Sequence, residues 1–159
     1  MNWTRTCSEG ASVTDPAVIR AKALDLLARR EHSRLELRQK LLQRGFPIDL
    51  IEPALDRLSE ERLLDEGRYA ELYACARADK GYGPLRIARE LRERGVPEAM
   101  VAATLAALED DWQPKLRELH RKRFKSHIPT AAAERMRQTR VLRQHGFTLD
   151  QIKHLFETV

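Results

Sequence analysis

The densest chemistry in this sequence is cationic. Arg121-Lys122-Arg123-Phe124-Lys125 form one run, and Arg135, Arg137, Arg140 and Arg143 follow it. Such groups hold phosphates or acidic side chains. A charge run also suits a solvated helix face. That reading does not explain the shortage of acids, because residues 112–159 hold 11 basic and 4 acidic residues, net +7. Residues 15–64 sum to +1 and residues 65–111 to −3, so the chain's net +5 is concentrated at one end. Unpaired cations repel one another, and a phosphate backbone or an acidic protein groove would relieve that repulsion.

A second feature is Lys80-Gly81-Tyr82-Gly83-Pro84. A tyrosine between two glycines suits either a ring tucked into a turn or an exposed anchor beside Lys80 and Arg86. The contact candidates are therefore Lys80, Tyr82, Arg86, Arg121, Lys122, Arg123, Lys125, Arg135, Arg137, Arg140 and Arg143.

Catalytic patterns are missing. Gly81-Tyr82-Gly83 begins like a dinucleotide fingerprint, but the third glycine position holds Arg86 and no strand precedes it. There is no Walker loop. His32, His120, His127, His145 and His154 are scattered without carboxylates at metal-ligand spacing, so no zinc site and no cofactor is expected. Glu60-Glu61 and Asp110-Asp111 fall at predicted helix boundaries, where caps and solvated ends explain them better than acid–base chemistry. Two cysteines, Cys7 and Cys75, make neither a disulfide framework nor a metal site. Cys75 reads as a small core or boundary residue, and His32 as structural. No apolar run is long enough to span a membrane, and residues 1–14 lack the apolar stretch of a signal peptide. A cytoplasmic setting is expected.

The elements that must position these groups repeat. Leu41-Leu-Gln-Arg-Gly45-Phe-Pro, Leu91-Arg-Glu-Arg-Gly95-Val-Pro and Leu142-Arg-Gln-His-Gly146-Phe-Thr place their glycines 50 and 51 residues apart. In phase behind them come Ile51, Val101 and Ile152, then Leu55, Leu105 and Phe156, then Leu58, Leu108 and Val159. This is helical spacing on one face, three times over. Upstream, Leu35, Leu85 and Met136 share a position, as do Leu41, Leu91 and Leu142. Tyr69, Leu72, Tyr73 and Ala76 form a stripe, as do Trp112, Leu116 and Leu119.

Gly45, Gly95 and Gly146 are structural: each ends a helix in the left-handed conformation, and Phe46, Val96 and Phe147 pack back behind them. Asp15-Pro16 and Gly83-Pro84 mark helix starts, and Ser33…Glu36 and Thr148…Gln151 read as capping boxes. The pattern predicts helices over 16–30, 33–44, 47–62, 65–79, 83–94, 97–109, 112–125, 130–145 and 148–158. Pro53 is a misfit inside the third, which should begin late, near Asp49, or kink. The expected fold is all-α. Residues 1–14 form a disordered tail, and three tandem three-helix repeats (15–64, 65–111 and 112–159) form an elongated, curved, solenoid-like bar.

Three segments carry a family resemblance. Leu27-Ala-Arg-Arg-Glu-His32-Ser33-Arg-Leu-Glu36-Leu37-Arg-Gln-Lys40-Leu41 resembles the opening motif of RecX proteins, and Leu64-Asp-Glu-Gly67-Arg-Tyr69-Ala resembles the second. Lys80-Gly-Tyr82-Gly-Pro84-Leu-Arg86-Ile-Ala-Arg-Glu90-Leu91 resembles the third and most specific. The likeness spans about residues 17 to 158, and Gly67 stands where an acidic or polar residue is expected. The resemblance implies a small cytoplasmic modulator of the RecA recombinase, acting in homologous recombination, DNA repair and the SOS response. It would lie in the groove of the RecA–DNA filament and depress extension, ATPase and strand exchange without catalysis. The expected partners are the filament and, directly or through it, single-stranded DNA; the protein is expected to be a monomer with no membrane contact. The alternative from the residues alone is a helical DNA-binding module acting without RecA, and a third is a protein scaffold indifferent to DNA.

Overall fold

The computed structural model describes residues 14–158. The tail expected at 1–14 lies outside the described residues except for Thr14, as do Cys7 and Val159. Among the described residues there are nine α-helices and no strand. They are α1 (Pro16–Leu27), α2 (Arg34–Leu42), α3 (Ile48–Glu60), α4 (Glu66–Asp79), α5 (Pro84–Glu93), α6 (Glu98–Ala107), α7 (Trp112–Phe124), α8 (Ala132–Gln144) and α9 (Leu149–Glu157). A 3-10 turn, Glu109–Asp111, precedes α7. The helix ends fall within three residues of the sequence expectation.

The glycine turns follow from backbone sterics. Gly45, Gly95 and Gly146 have φ of 82°, 77° and 98°, the left-handed region open to glycine. Behind them the amides of Phe46, Val96 and Phe147 donate to the carbonyls of Leu41, Leu91 and Leu142 at 3.3, 3.1 and 3.3 Å. This closes the helix end as a Schellman motif and drives each apolar side chain back into the core. The starts use the expected caps. Asp15 accepts from the amide of Ala17 at 2.8 Å, and Pro16 and Pro84 each open a helix. Thr148 and Gln151 form a reciprocal capping box. Ser33 forms only half of one: it accepts from the amide of Glu36, whose own carboxylate is drawn to Arg30 instead. Pro53 sits inside α3, which already begins at Ile48. It is exposed, so the carbonyl it leaves without a donor can be served by water.

The described chain divides into two compact units, residues up to 65 and residues from 66 onward. The first contains α1–α3 around Ile19, Leu37, Leu41, Ile51, Leu55 and Leu58, none of them exposed. The second contains α4–α9. One continuous core runs from Tyr69 to Phe156, so the second and third repeats share their interior. Trp112, Leu116 and Leu119 seat α7 in that core as the spacing predicts, with α7 meeting both α4 and α9.

Some apolar expectations need correction. Leu85 and Met136 are 58% and 70% exposed, and Leu35 is only half-buried. The inward line of the second helix in each repeat runs instead through Leu37 and Leu41, Ile87 and Leu91, and Gln138 and Leu142. In α4 the buried face is Tyr69, Ala70, Ala74 and Ala78, with Leu72 and Ala76 outside. Cys75, expected at the core or its boundary, is exposed on that outer face.

Candidate interaction surface

The sequence-selected cations fall into three environments. The first is local neutralisation. Glu118 pairs with Arg121 at 2.7 Å and Lys122 at 3.3 Å, and Glu134 pairs with Arg137 at 2.7 Å. Each carboxyl is held at about 2, Glu118 by hydrogen bonds from Arg121 and Lys122 and Glu134 by those from Arg137 and Gln138. Half of the dense run is therefore matched within one helical turn.

The second environment is the junction between the second and third repeats. Here the segment from Lys80 to Pro84 lies against the turn that ends α8. The amides of Gly83 and Leu85 donate to the carbonyls of His145 and Gly146 at 2.8 and 2.9 Å, like a short stretch of ladder. Glycine is required on both sides. A Cβ on Gly83 would lie 2.5 Å from the carbonyl carbon of Gly146, and one on Gly146 would lie 2.4 Å from Cβ of Arg86. His145 donates from Nδ1 to the carbonyl of Gly81 at 3.1 Å and receives Arg123 at Nε2 at 3.5 Å. Burial lowers its pKa, the Gly81 carbonyl works against that, and the charges of Arg123 and Arg86 lower it further.

Tyr82 is half-buried in this junction. Its ring stacks on His145 with centroids 5.7 Å apart, and the guanidiniums of Arg77 and Arg86 lie 3.9 and 4.2 Å from its centroid. Of the two sequence readings, the tucked ring is the one seen. Lys80, the segment's one cation, is exposed to solvent.

Sequence reasoning missed the group that organises the junction. Glu90 is 8% exposed and accepts from Tyr73 at 2.8 Å, from Arg77 at 2.5 and 2.7 Å, and from Arg86 at 3.0 Å. Burial alone would raise its carboxyl, but these hydrogen bonds override burial and hold it at about 2. Burial and the Glu90 hydrogen bond push the Tyr73 phenol up to about 12. The sequence signal was present: Glu90 is the acid four residues after Arg86, the spacing at which helical pairs meet.

The third environment is open. Lys125, at φ 52° beyond the end of α7, and Arg140 and Arg143 on α8 make no ion pair among the described residues and are exposed. Arg135 lies over the ring of Phe156 at 5.2 Å without a carboxylate partner. Lys153 on α9, which the sequence reading did not select, is also exposed and unpaired. The outward face of α8 thus presents Arg135, Arg140 and Arg143 around the exposed Met136, over a shallow concavity of about 650 Å³. Gln144 and Arg143 continue that surface onto Leu85 and Arg89 of α5. This arrangement can hold anionic groups against an apolar patch. It offers no nucleophile beside a base, and no cluster of three metal-ligating side chains occurs among the described residues. No helix among them is long and apolar enough to cross a membrane.

The comparisons with known proteins agree with this anatomy. Family models for the first, second and third three-helix domains of RecX match residues 20–58, 65–105 and 109–156. The chain is 50% identical over 140 residues to the regulatory protein RecX of Pseudomonas savastanoi pv. phaseolicola, covering 88% of this chain and 90% of that one. It is 45% identical over 135 residues to the RecX of Halorhodospira halophila, covering 85% and 84%. The fold matches the crystal structure of RecX from Lactobacillus salivarius with a TM-score of 0.77 at 20% identity, over 91% of this chain and 97% of that one. With all three of its helical repeats matched in order, the chain belongs to the RecX family.

Proposed function

We propose that this chain is a non-catalytic negative regulator of a RecA-type recombinase, acting as a cytoplasmic monomer on the filament that the recombinase forms on DNA. Bound there, it opposes filament extension and lowers ATPase and strand exchange. The observation that carries the reading is the split between compensated and uncompensated charge. The first repeat ties Arg34 and Arg38 to Glu52 and the junction ties Arg77 and Arg86 to Glu90, whereas in the repeat whose net charge is +7 Lys125, Arg135, Arg140, Arg143 and Lys153 face solvent without a carboxylate partner. An anionic partner relieves that excess, and a recombinase filament offers both acidic protein and phosphate. Three repeats (15–64, 65–111 and 112–159) give several contacts in one chain. A filament, unlike a free subunit, presents repeated sites for them and gains from multivalency. On this reading Lys125, Arg135, Arg140, Arg143 and Lys153 lead the contacts, with Arg123 beside them at His145. Arg121, Lys122 and Arg137 contribute less because Glu118 and Glu134 already hold them, and Tyr82 and Arg86 act through the junction.

The test is a titration of this protein into recombinase hydrolysing ATP on single-stranded DNA. The expected result is inhibition at less than one molecule per recombinase subunit. Unchanged ATPase at equimolar protein would remove the reading. Tight, salt-sensitive binding to bare DNA in that case would favour an independent DNA-binding module.

A further inference from the structure

The outward face of α8 exposes a large apolar side chain among cations. Its stripe passes through Ala132, Met136, Thr139 and Arg143, with Arg135 and Arg140 on the flanks. Glu134, the acid nearby, is turned away to Arg137 and Gln138 on the opposite side of the helix. The strip therefore has an apolar centre, cations along both edges and no carboxylate. Met136 is 70% exposed at its centre. About 10 Å of helix separates Met136 from Arg143, and Arg143 borders Leu85, which is 58% exposed. Two large exposed apolar side chains, about two helical turns apart and rimmed by arginines, have the make-up of a protein contact, in which Met and Arg are enriched.

We propose that this strip docks an acidic amphipathic helix of a partner protein. Resting on the function proposed above, that partner is the recombinase in its filament. The geometry fits a helix laid along α8, with apolar anchors two turns apart over Met136 and Leu85 and carboxylates reaching Arg135, Arg140 and Arg143. Methionine suits such a contact because its unbranched thioether adapts to the facing surface. A nucleic acid is the poorer occupant. Single strands are held by aromatic platforms between cations, and this strip has no aromatic ring; phosphates gain nothing from Met136 and Leu85.

The test separates charge from apolar contact. L85Q/M136Q removes both anchors, leaves every arginine in place and touches only exposed side chains. L72Q changes a leucine that is 57% exposed elsewhere, on α4, and serves as the control. Binding of the full chain is measured on recombinase filament by co-sedimentation and on a bare oligo-dT strand by fluorescence anisotropy, with circular dichroism to confirm folding. L85Q/M136Q is expected to bind filament about tenfold more weakly, a loss of about 1.4 kcal/mol. L72Q should bind filament as the parent does, and both variants should bind oligo-dT as the parent does. Filament binding by L85Q/M136Q within about twofold of the parent overturns the proposal. So does an equal loss on oligo-dT, which would make the strip a nucleic-acid surface. A parent chain that binds no filament removes the functional reading itself, and this inference with it. That result is read from the parent alone and is distinct from any variant effect.

Discussion

The first and third repeats are built on the same frame and use it differently. In the first, α2 and α3 are tied by charge. Arg34 reaches Glu52 and Asp56, both at 2.7 Å, and Arg38 reaches Glu52 at 2.5 Å. At the equivalent positions of the third repeat stand Arg135, Lys153 and Glu157, with Thr139 in place of Arg38. Exchange of the bridging glutamate for lysine, together with the loss of Arg38, leaves an open cationic edge where the first repeat has a closed ion-pair network. The interiors differ in the same sense. Ile19 and Leu37 are buried in the first core, while His120 and Gln138 occupy those positions in the third. The difference teaches that the repeat is a folding unit whose outer and inner surfaces can be altered separately, provided the turn glycine and the leucine before it remain.

The turn glycine gives the largest contrast. Gly45 and Gly146 have the same role at the helix end, but a Cβ on Gly45 would meet nothing within 4 Å, whereas one on Gly146 would strike Arg86. Gly45→Ala should cost only the left-handed strain, about 1–2 kcal/mol. Gly146→Ala adds a backbone collision that requires the junction to shift, for a total of about 2–5 kcal/mol. Thermal melts of the two variants, followed by circular dichroism, should separate by several degrees. Equal melting temperatures would mean that the junction yields freely and that Gly146 is a cap and nothing more.

How much of this was legible in the sequence depends on what each residue had to reveal. The turn glycines, the caps and the leucines that precede the turns follow from backbone conformation and local spacing, so residue order alone places the helices. Which side of a helix meets the core is harder. Leu85, Met136 and Leu72 look like core residues by type, yet their neighbours in space leave them uncovered. Charge totals pointed to the third repeat but could not say which cations were already satisfied, because Glu118 and Glu134 choose among several neighbours by rotamer and helix face. The Glu90 cluster draws its members from α4 and α5, and Tyr82 is held by Arg77 on α4, Arg86 on α5 and His145 just past α8. Such a meeting of distant segments has no one-dimensional signature beyond the Arg86–Glu90 spacing.

A buried polar pair in the third repeat replaces the apolar pair of the first. His120 and Gln138 are 2% and 0% exposed and hydrogen-bond at 2.9 Å, and Gln138 also donates to the carbonyl of His127 at 3.2 Å and to Glu134 at 3.0 Å. Gln138→Leu strands the His127 carbonyl and the imidazole, and should cost about 1–3 kcal/mol. Adding His120→Ile gives the third repeat the apolar pair of the first. The double variant should recover part of that loss, because removing both partners costs less than orphaning one. Chemical denaturation of the single and double variants measures the coupling. Purely additive losses would show that the pair is not a unit and that the His127 loop sets the energy instead.

The charge exchange at the edge of the third repeat can be reversed. Lys153→Glu returns to the third repeat the acid that Glu52 supplies in the first. Arg135 already stands where Arg34 stands, so a guanidinium is available at the matching position. Arg135 rests on Phe156 and is exposed, so the new pair would be a surface pair and should be screened by salt. The gain in stability should be about 0.2–1 kcal/mol at low ionic strength and should shrink as salt is added. Relief of the repulsion between Lys153 and its cationic neighbours acts in the same direction, because the substitution moves the repeat's charge by two units. The same change removes one cation from the open edge and engages a second, so filament binding should weaken while the fold is strengthened. Denaturation and filament binding measured on one preparation give the two signs together. Stability that rises with no change in binding would place Lys153 and Arg135 outside the docking surface and leave Arg140 and Arg143 as its charged members.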